Sequence, residues 1–234
     1  MAVRALAFIP ARGGSKRVPR KNILPLAGKP LLAWTVETAK ECGIFERIVV
    51  SSDDSEVLQI AKSCGVETDE RPAALATDTA RNVEVIAEYL NRPENTGRFD
   101  VVALLAPTSP LRSAADIHAA FDLHEKAPEE FVITVTHYEF PPEFACDLNA
   151  GGGLTLRHPE IYARSTQGQS VTPAVHPNGA IYLGSVDRFL KEKTFFAPPM
   201  RGLMMPADRS LDLDHPHQFA LAEAHLKKPA QQPI

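Results

Sequence analysis

Apolar blocks and amphipathic blocks alternate through the first half of the chain. The runs Ala5–Ile9, Arg47–Ser51, Val101–Leu105 and Val132–Val135 are short and rich in aliphatic residues, and they read as strands. They are apolar at nearly every position, which suits strands buried on both faces of a parallel sheet. Between them the period changes. Val57, Ile60, Ala61 and Cys64 fall at i, i+3, i+4 and i+7, the single stripe of a helix, with Asp54 or Ser55 as its cap and Gly65 at its end. Ile117, Ala120 and Phe121 mark a second helix, Val83–Leu90 a third, and another opens after Leu26-Ala27-Gly28-Lys29-Pro30. This order predicts an α/β fold with a largely parallel sheet and ligands at the carboxyl ends of its strands.

The alternation breaks between about His137 and Pro177. Here stand Pro141-Pro142, Gly151-Gly152-Gly153 and polar text from Arg164 to Thr172. A loop of that length is uncommon in a compact domain unless it is functional or ordered by a partner. A final helix is predicted near His215 to Leu226, with Pro216 in the first turn where proline is tolerated, and residues 229–234 read as a loose tail.

The first strand runs into the most distinctive segment. Arg12, Gly13, Gly14, Ser15, Lys16, Arg17, Arg20, Lys21 and Asn22 gather two glycines, a serine and five cations. Glycines let a backbone turn tightly near a ligand, and the N–H groups bared by such a turn form an anion nest. Neither GxxxxGK[ST] nor GxGxxG is present. The loop is either a solvated basic surface or a seat for a polyphosphate.

Composition narrows the class. At 234 residues the chain can bury a full core, and its 44% hydrophobic and 23% charged content is that of an ordinary globular protein. A net charge of −4 argues against wholesale nucleic-acid binding despite the basic loop. Cys42, Cys64 and Cys146 lack CxxC spacing and read as reduced thiols. The apolar run before Pro10 is too short for a signal peptide, and no stretch approaches the roughly 18 apolar residues of a membrane span. A soluble, cytoplasmic protein with no membrane partner is expected. HExxH and GxSxG are both absent.

Asp212 and Asp214 stand two apart in a strand-like Leu-Asp-Leu-Asp run, which points both carboxylates to one side. Paired hard oxygens suit Mg²⁺. The same spacing also describes a strand with a polar outer face, or Asp214 as the cap of the last helix.

Five blocks in order carry a family resemblance: the basic loop through Asn22, Arg71-Pro72-Ala73-Ala74-Leu75-Ala76-Thr77-Asp78-Thr79, Pro107-Thr108-Ser109-Pro110-Leu111-Arg112, Pro177-Asn178-Gly179-Ala180-Ile181-Tyr182 and Ser210-Leu211-Asp212-Leu213-Asp214. Together they resemble the cytidylyltransferases that make CMP-sialic acid and related CMP-sugar acids. The resemblance implies a Rossmann-like nucleotidyltransferase fold. Residues 1–136 and 177–228 would form the nucleotidyltransferase domain. Residues 137–176 would form a small protruding lobe that interlocks two subunits of a homodimer and reaches the partner's site.

It also implies roles. Ala11, Arg12, Gly13, Ser15, Lys16, Asn22, Arg71 and Asn82 would bind the nucleotide, although family members often carry serine at the position of Asn82. Asn178, Gly179, Tyr182, Phe195 and Phe196 would meet the sugar, with Arg164 as the candidate clamp for its carboxylate. Tyr182 also suits a half-buried strand position, and a Phe-Phe pair also suits packing. Asp212 and Asp214 would hold Mg²⁺, and these two with Arg12 and Lys16 would carry catalysis. The expected reaction joins CTP to a 2-keto sugar acid, giving a CMP-sugar and pyrophosphate.

Two departures put the sugar in doubt. Ala106 stands where the sialic acid branch often has glutamine, and Tyr138–Phe144 lacks the lysine some members supply. A legionaminic, pseudaminic or Kdo acid is then an alternative substrate, and a binding protein that has lost catalysis is the alternative of a different class.

Overall fold

The computed structural model describes residues 3–15, 17–77, 79–164 and 172–227. Strand β1 (Ala5–Pro10) is buried at every position and pairs in parallel with β4 (Arg47–Ser52) on one side and β6 (Val101–Leu105) on the other. Its two faces feed two cores. Ala5, Ala7 and Ile9 pack with Leu32 and Val36 of α1 (Leu31–Glu41), Val57 and Ala61 of α2 (Ser55–Ser63), and Ile117 and Ala120 of α4 (Ala114–Lys126). Leu6 and Phe8 pack with Val85, Ile86 and Tyr89 of α3 (Asn82–Asn91) and with Phe189 of α6 (Val186–Glu192). An apolar strand text without alternation is thus explained by helices on both sides of the sheet.

The central sheet has seven strands in the order β11-β7-β10-β6-β1-β4-β5, where β5 is Glu67–Glu70, β7 is Phe131–His137, β10 is Val175–Ser185 and β11 is Met200–Met204. It is parallel except at β10, which runs antiparallel to both β6 and β7. From β1 the chain moves outward through β4 and β5, then returns to β6 on the other side of β1. The loops leaving the carboxyl ends of β1 and β6 therefore diverge. A crevice at such a reversal of strand order is where ligands bind in open α/β sheets.

Local signals behave as the sequence predicts. Asp54 caps α2 by accepting the N–H of Glu56 at 2.8 Å, and Gly65 takes the left-handed conformation just past the helix, with φ of 73°. The helix expected after Leu26-Ala27-Gly28-Lys29-Pro30 is α1, and a short hairpin of β2 (Pro25–Leu26) and β3 (Lys29–Pro30), which the sequence did not indicate, precedes it.

Between β7 and β10 the chain leaves the sheet. It forms a separate two-stranded hairpin, β8 (Cys146–Leu148) with β9 (Leu154–Leu156), exposed at every position, and the short helix α5 (Pro159–Arg164). Part of this expected lobe, residues 165–171, and the expected tail at 229–234 lie outside the described residues. The chain re-enters the sheet as β10, whose register against β7 shifts between Pro177 and Tyr182. Helix α7 (Pro216–Leu226) packs on a third, smaller core of Leu26, Leu31, Leu213 and Ala222.

Gly184 of β10 is required by packing. A Cβ there would lie 2.3 Å from the Phe131 ring, which is itself fully buried and has nowhere to retreat. Gly184→Ala should cost about 1–3 kcal/mol, the range for overpacked cores. Urea unfolding checks this through a lower midpoint at unchanged slope.

Candidate active site

The crevice is a cleft of about 480 Å³, lined by the loop after β1, the loop after β6, the start of α3 and Asp214. The first wall is the basic loop, and backbone bonds fasten it to the rest of the fold. The Ala11 N–H donates to the Ser51 carbonyl at 2.9 Å, and the Gly13 N–H donates to Asp53 Oδ1 at 2.9 Å. A Cβ on Gly13 would sit 2.6 Å from Asp54, so only glycine lets the loop lie this close to the α2 cap. Buried Asn22 donates from Nδ2 to the Arg12 carbonyl at 2.9 Å, pinning the far end. Arg12 reaches across to the Thr77 carbonyl at 3.2 Å. Held this way, Arg12, Ser15, Arg17 and Lys21 line the cleft, with Asn82 at the first position of α3 opposite. Lys16 lies outside the described residues.

Arg71 sits behind this wall, buried, and donates from Nη2 to the Ser51 carbonyl at 3.2 Å. Its Nε and Nη1 are buried with no hydrogen-bond partner among the described residues. Burial is the main cause that lowers its pKa, while the nearby charges of Asp53 and Asp69 oppose that shift. Arg112 is a structural counterpart on the other side of the floor. Its Nη1 donates to the Ala180 carbonyl at 2.7 Å, and burial lowers its pKa to about 10.

The second wall is Ala106-Pro107-Thr108 at the end of β6. The third corrects the expectation of a strand at Leu211–Asp214, since this segment joins no sheet. Its amides go elsewhere: Leu213 donates to the Thr108 carbonyl at 2.8 Å, and Asp214 donates to Gln218 Oε1 at 2.7 Å. The alternation still acts without a ladder. Leu213 is fully buried and Leu211 packs beside it in the small core, while Asp212 is left exposed and Asp214 lines the cleft.

The two carboxylates differ sharply. Asp214 is ion-paired to Arg17 and to Lys21 Nζ, the latter at 2.8 Å. Crowding is the largest single effect on it and would raise its pKa, but the Lys21 bond and both positive charges together outweigh that and lower it. Asp212 is exposed, yet loss of hydration to its neighbours is the largest effect on it and raises its pKa. The neighbouring Thr108 side chain opposes the rise and the charge of Asp214 adds to it.

A divalent cation fits Asp212, whose charge is left mostly uncompensated. Asp214 would join such a site only by exchanging Arg17 and Lys21 for the metal. Among the described residues no cluster of three or more potential metal-ligating side chains occurs, so other ligands would come from water or substrate.

The other predicted residues separate into two groups. Gly179 turns with φ of 82° beside Asp212, and half-buried Tyr182 lies within reach of that charge. Phe196 is 54% exposed and its ring centroid is 5.7 Å from that of Tyr182, giving an aromatic edge next to the acidic loop. Phe195 does not share this face. It is 2% exposed and packs against Phe131 and Phe189 in the core, with its ring centroid 6.0 Å from that of Tyr182 on the core side. Asn178 is also buried, with its amide donating to Ser210 Oγ at 2.9 Å and accepting from the Ala180 N–H at 3.1 Å; it shapes the β10 irregularity from behind. The side chain of Arg164 lies outside the described residues.

Sequence reading left Arg17 and Lys21 undecided and gave no role to Thr108 or Gln218. The cations were visible as a run, but only the fold brings Asp214 against them.

Comparisons with known proteins agree with this geometry. A family model described as Cytidylyltransferase matches residues 6–198. The pseudaminic acid cytidylyltransferase of Campylobacter jejuni serotype O:23/36 is 32% identical over 227 residues, covering 96% of this chain and 97% of that one. The N-acylneuraminate cytidylyltransferase of Escherichia coli O18:K1:H7 is 34% identical over 235 residues, covering 100% of this chain and 55% of that longer protein. Among solved structures, the CMP:2-keto-3-deoxy-manno-octonic acid synthetase complexed with CTP superposes with a TM-score of 0.69 over 95% of this chain and 98% of that one, at 17% identity. The last likeness shows the shared nucleotidyltransferase fold.

Asp212 yields a stability prediction for the metal-free protein. Its folded-state pKa lies above the unfolded value of 3.8, so the stability it contributes is present below that value and is lost as pH rises through the folded pKa. Asp212→Asn removes a poorly hydrated charge and should raise Tm at neutral pH, with the gain vanishing toward the unfolded value. Parallel melts from acid to neutral pH check both the sign and the window.

Proposed function

Because the chain belongs to the cytidylyltransferase family, we propose that it joins CTP to a nine-carbon 2-keto sugar acid of the sialic, pseudaminic or legionaminic type, releasing pyrophosphate. The observation that carries this reading is the crevice beside β1, where Arg12, Arg17, Lys21 and Ser15 face an acidic loop across a cleft. Such chemistry asks a protein mainly for positioning and charge neutralisation.

In this reading the anomeric hydroxyl of the sugar gives up its proton to solvent as its oxygen attacks the α-phosphorus of CTP. The bond from that phosphorus to the bridging oxygen breaks, and pyrophosphate leaves with the electron pair. Arg12 and Lys21 balance the charge that builds on the departing group, with Lys16 in the same role. Ala11, Gly13, Ser15, Asn22, Arg71 and Asn82 bind or support the nucleotide. Asp212 and Asp214 would hold Mg²⁺, which when bound supplies charge neutralisation at the phosphates.

Gly179, Tyr182 and Phe196 form the sugar side, with Arg164 as the candidate carboxylate clamp. Ala106 presents only a methyl group at the cleft wall, so recognition of the sugar falls to other residues. This supports a sugar other than sialic acid itself, as does the pseudaminic acid relative, which matches along nearly its full length.

We also propose a homodimer in the cytoplasm. The segment after β7 exposes Phe140, Leu148 and Leu154, each 70% or more accessible, a density of apolar surface that suits burial against a second copy. All three cysteines are free, in keeping with a reducing compartment.

Pyrophosphate release from CTP and Mg²⁺, assayed against sialic, legionaminic, pseudaminic and Kdo acids, should be strong with one nine-carbon acid. CTP binding with silence across the panel would favour a binding-only protein. Arg12→Ala should lower kcat/KM by about 10²–10³-fold, the loss typical of one charge-stabilising donor. For the assembly, light scattering should give twice the chain mass, and Leu148→Glu with Leu154→Glu should shift it to the monomer.

A further inference from the structure

We propose that Gln218 is the positioning residue for Asp214, its side-chain oxygen fixing the backbone from which that carboxylate enters the cleft. The inference rests on the reading of Asp214 as a ligand of a divalent cation. Gln218 stands in the first turn of α7, three residues after His215. Its Oε1 accepts two successive amides, the Asp214 N–H and the His215 N–H, each at 2.7 Å. Those two N–H groups lie on either side of the Asp214 Cα. One oxygen therefore restrains both soft dihedrals of Asp214, and with them the direction of its Cβ.

The anchor is itself held at both ends. Before Asp214, the Leu213 N–H donates to the Thr108 carbonyl at 2.8 Å and the Leu213 side chain is fully buried. After it, α7 seats Phe219 and Ala222 against Leu26, Leu31 and Leu213, and Glu223 Oε1 accepts the Ala27 N–H at 2.9 Å.

Cations hold Asp214 from the front, and Gln218 holds it from behind. The ion pairs to Arg17 and Lys21 orient the carboxylate only while they last, and a metal takes their place by displacing them. The bonds to Gln218 use amides and leave the carboxylate oxygens untouched, so they persist through that exchange. A ligand already pointed the right way loses less freedom when the metal arrives, which is how groups outside the ligand set act on metal affinity. The position asks for an acceptor of this reach.

Mn²⁺ serves as the probe, titrated into the full chain without nucleotide and read as free Mn²⁺ by electron paramagnetic resonance. Gln218→Met keeps the length and removes the carbonyl oxygen; it should weaken Mn²⁺ by about tenfold, the lower end for groups that orient metal ligands. Gln218→Glu keeps the acceptor and should bind at or above wild type. Asp214→Asn should lose at least as much as Gln218→Met. The double variant should lose no more than Asp214→Asn alone, because Gln218 acts through Asp214. If Gln218→Met does not fold, Gln218→Leu is the second acceptor-free variant.

Wild-type affinity in Gln218→Met beside a weakened Asp214→Asn would overturn the proposal and leave the metal reading standing. Equal loss in Gln218→Glu and Gln218→Met would also overturn it, since shape and not the acceptor would then matter. Wild-type affinity in Asp214→Asn would remove the reading of Asp214 as a metal ligand, and the proposal with it.

Discussion

A parallel strand buried on both faces and paired on both edges can exchange with solvent only at its ends. Strand β1 is in that position: helices cover each face, and β4 and β6 occupy its edges. Its polar continuation must therefore emerge at the carboxyl end, and there the five cations and two glycines begin. The strand order reverses beside the same strand, so the loop after β6 leaves in the other direction and a crevice opens between them. The placement of the site, the depth of its floor and the approach of the acidic loop all follow from how β1 is enclosed.

The charges in the crevice compensate one another within the protein. Five cations on one loop would repel, yet Arg17 and Lys21 are spent on Asp214 and Arg20 on Glu56. Nucleotide binding in the proposed reaction then exchanges one set of anionic partners for another instead of seating a triphosphate in a bare cationic pocket. Asp212 stays outside this exchange. Its raised pKa and Asp214's lowered one arise a single residue apart, because crowding acts on both while the cations reach mainly one.

The predicted site residues show where sequence text stops informing. Phe195 and Phe196 are chemically identical neighbours, and one lies in the core while the other is open to solvent. Asn178 sits in a motif beside Gly179, but its amide faces Ser210 and Ala180 and serves the backbone. Leu211–Asp214 has the alternation of a strand and the burial pattern of one, without a neighbouring strand to pair with. In each case the side-chain types were correct for a site, and the direction each one takes depends on elements far away in the chain.

The sequence by itself determined the α/β class, the strands β1, β4, β6 and β7, the cap and end of α2, the basic loop and the family. These depend on local periods, turn residues and short motifs, which neighbouring residues settle among themselves. Only the tertiary structure decided that β10 runs against its neighbours, that Asp214 pairs with Arg17 and Lys21 some two hundred residues earlier, and that the Thr108 carbonyl accepts the Leu213 N–H. Those pairings join segments far apart in the chain, and no local pattern encodes which distant group a side chain meets once the sheet has brought the strand ends together.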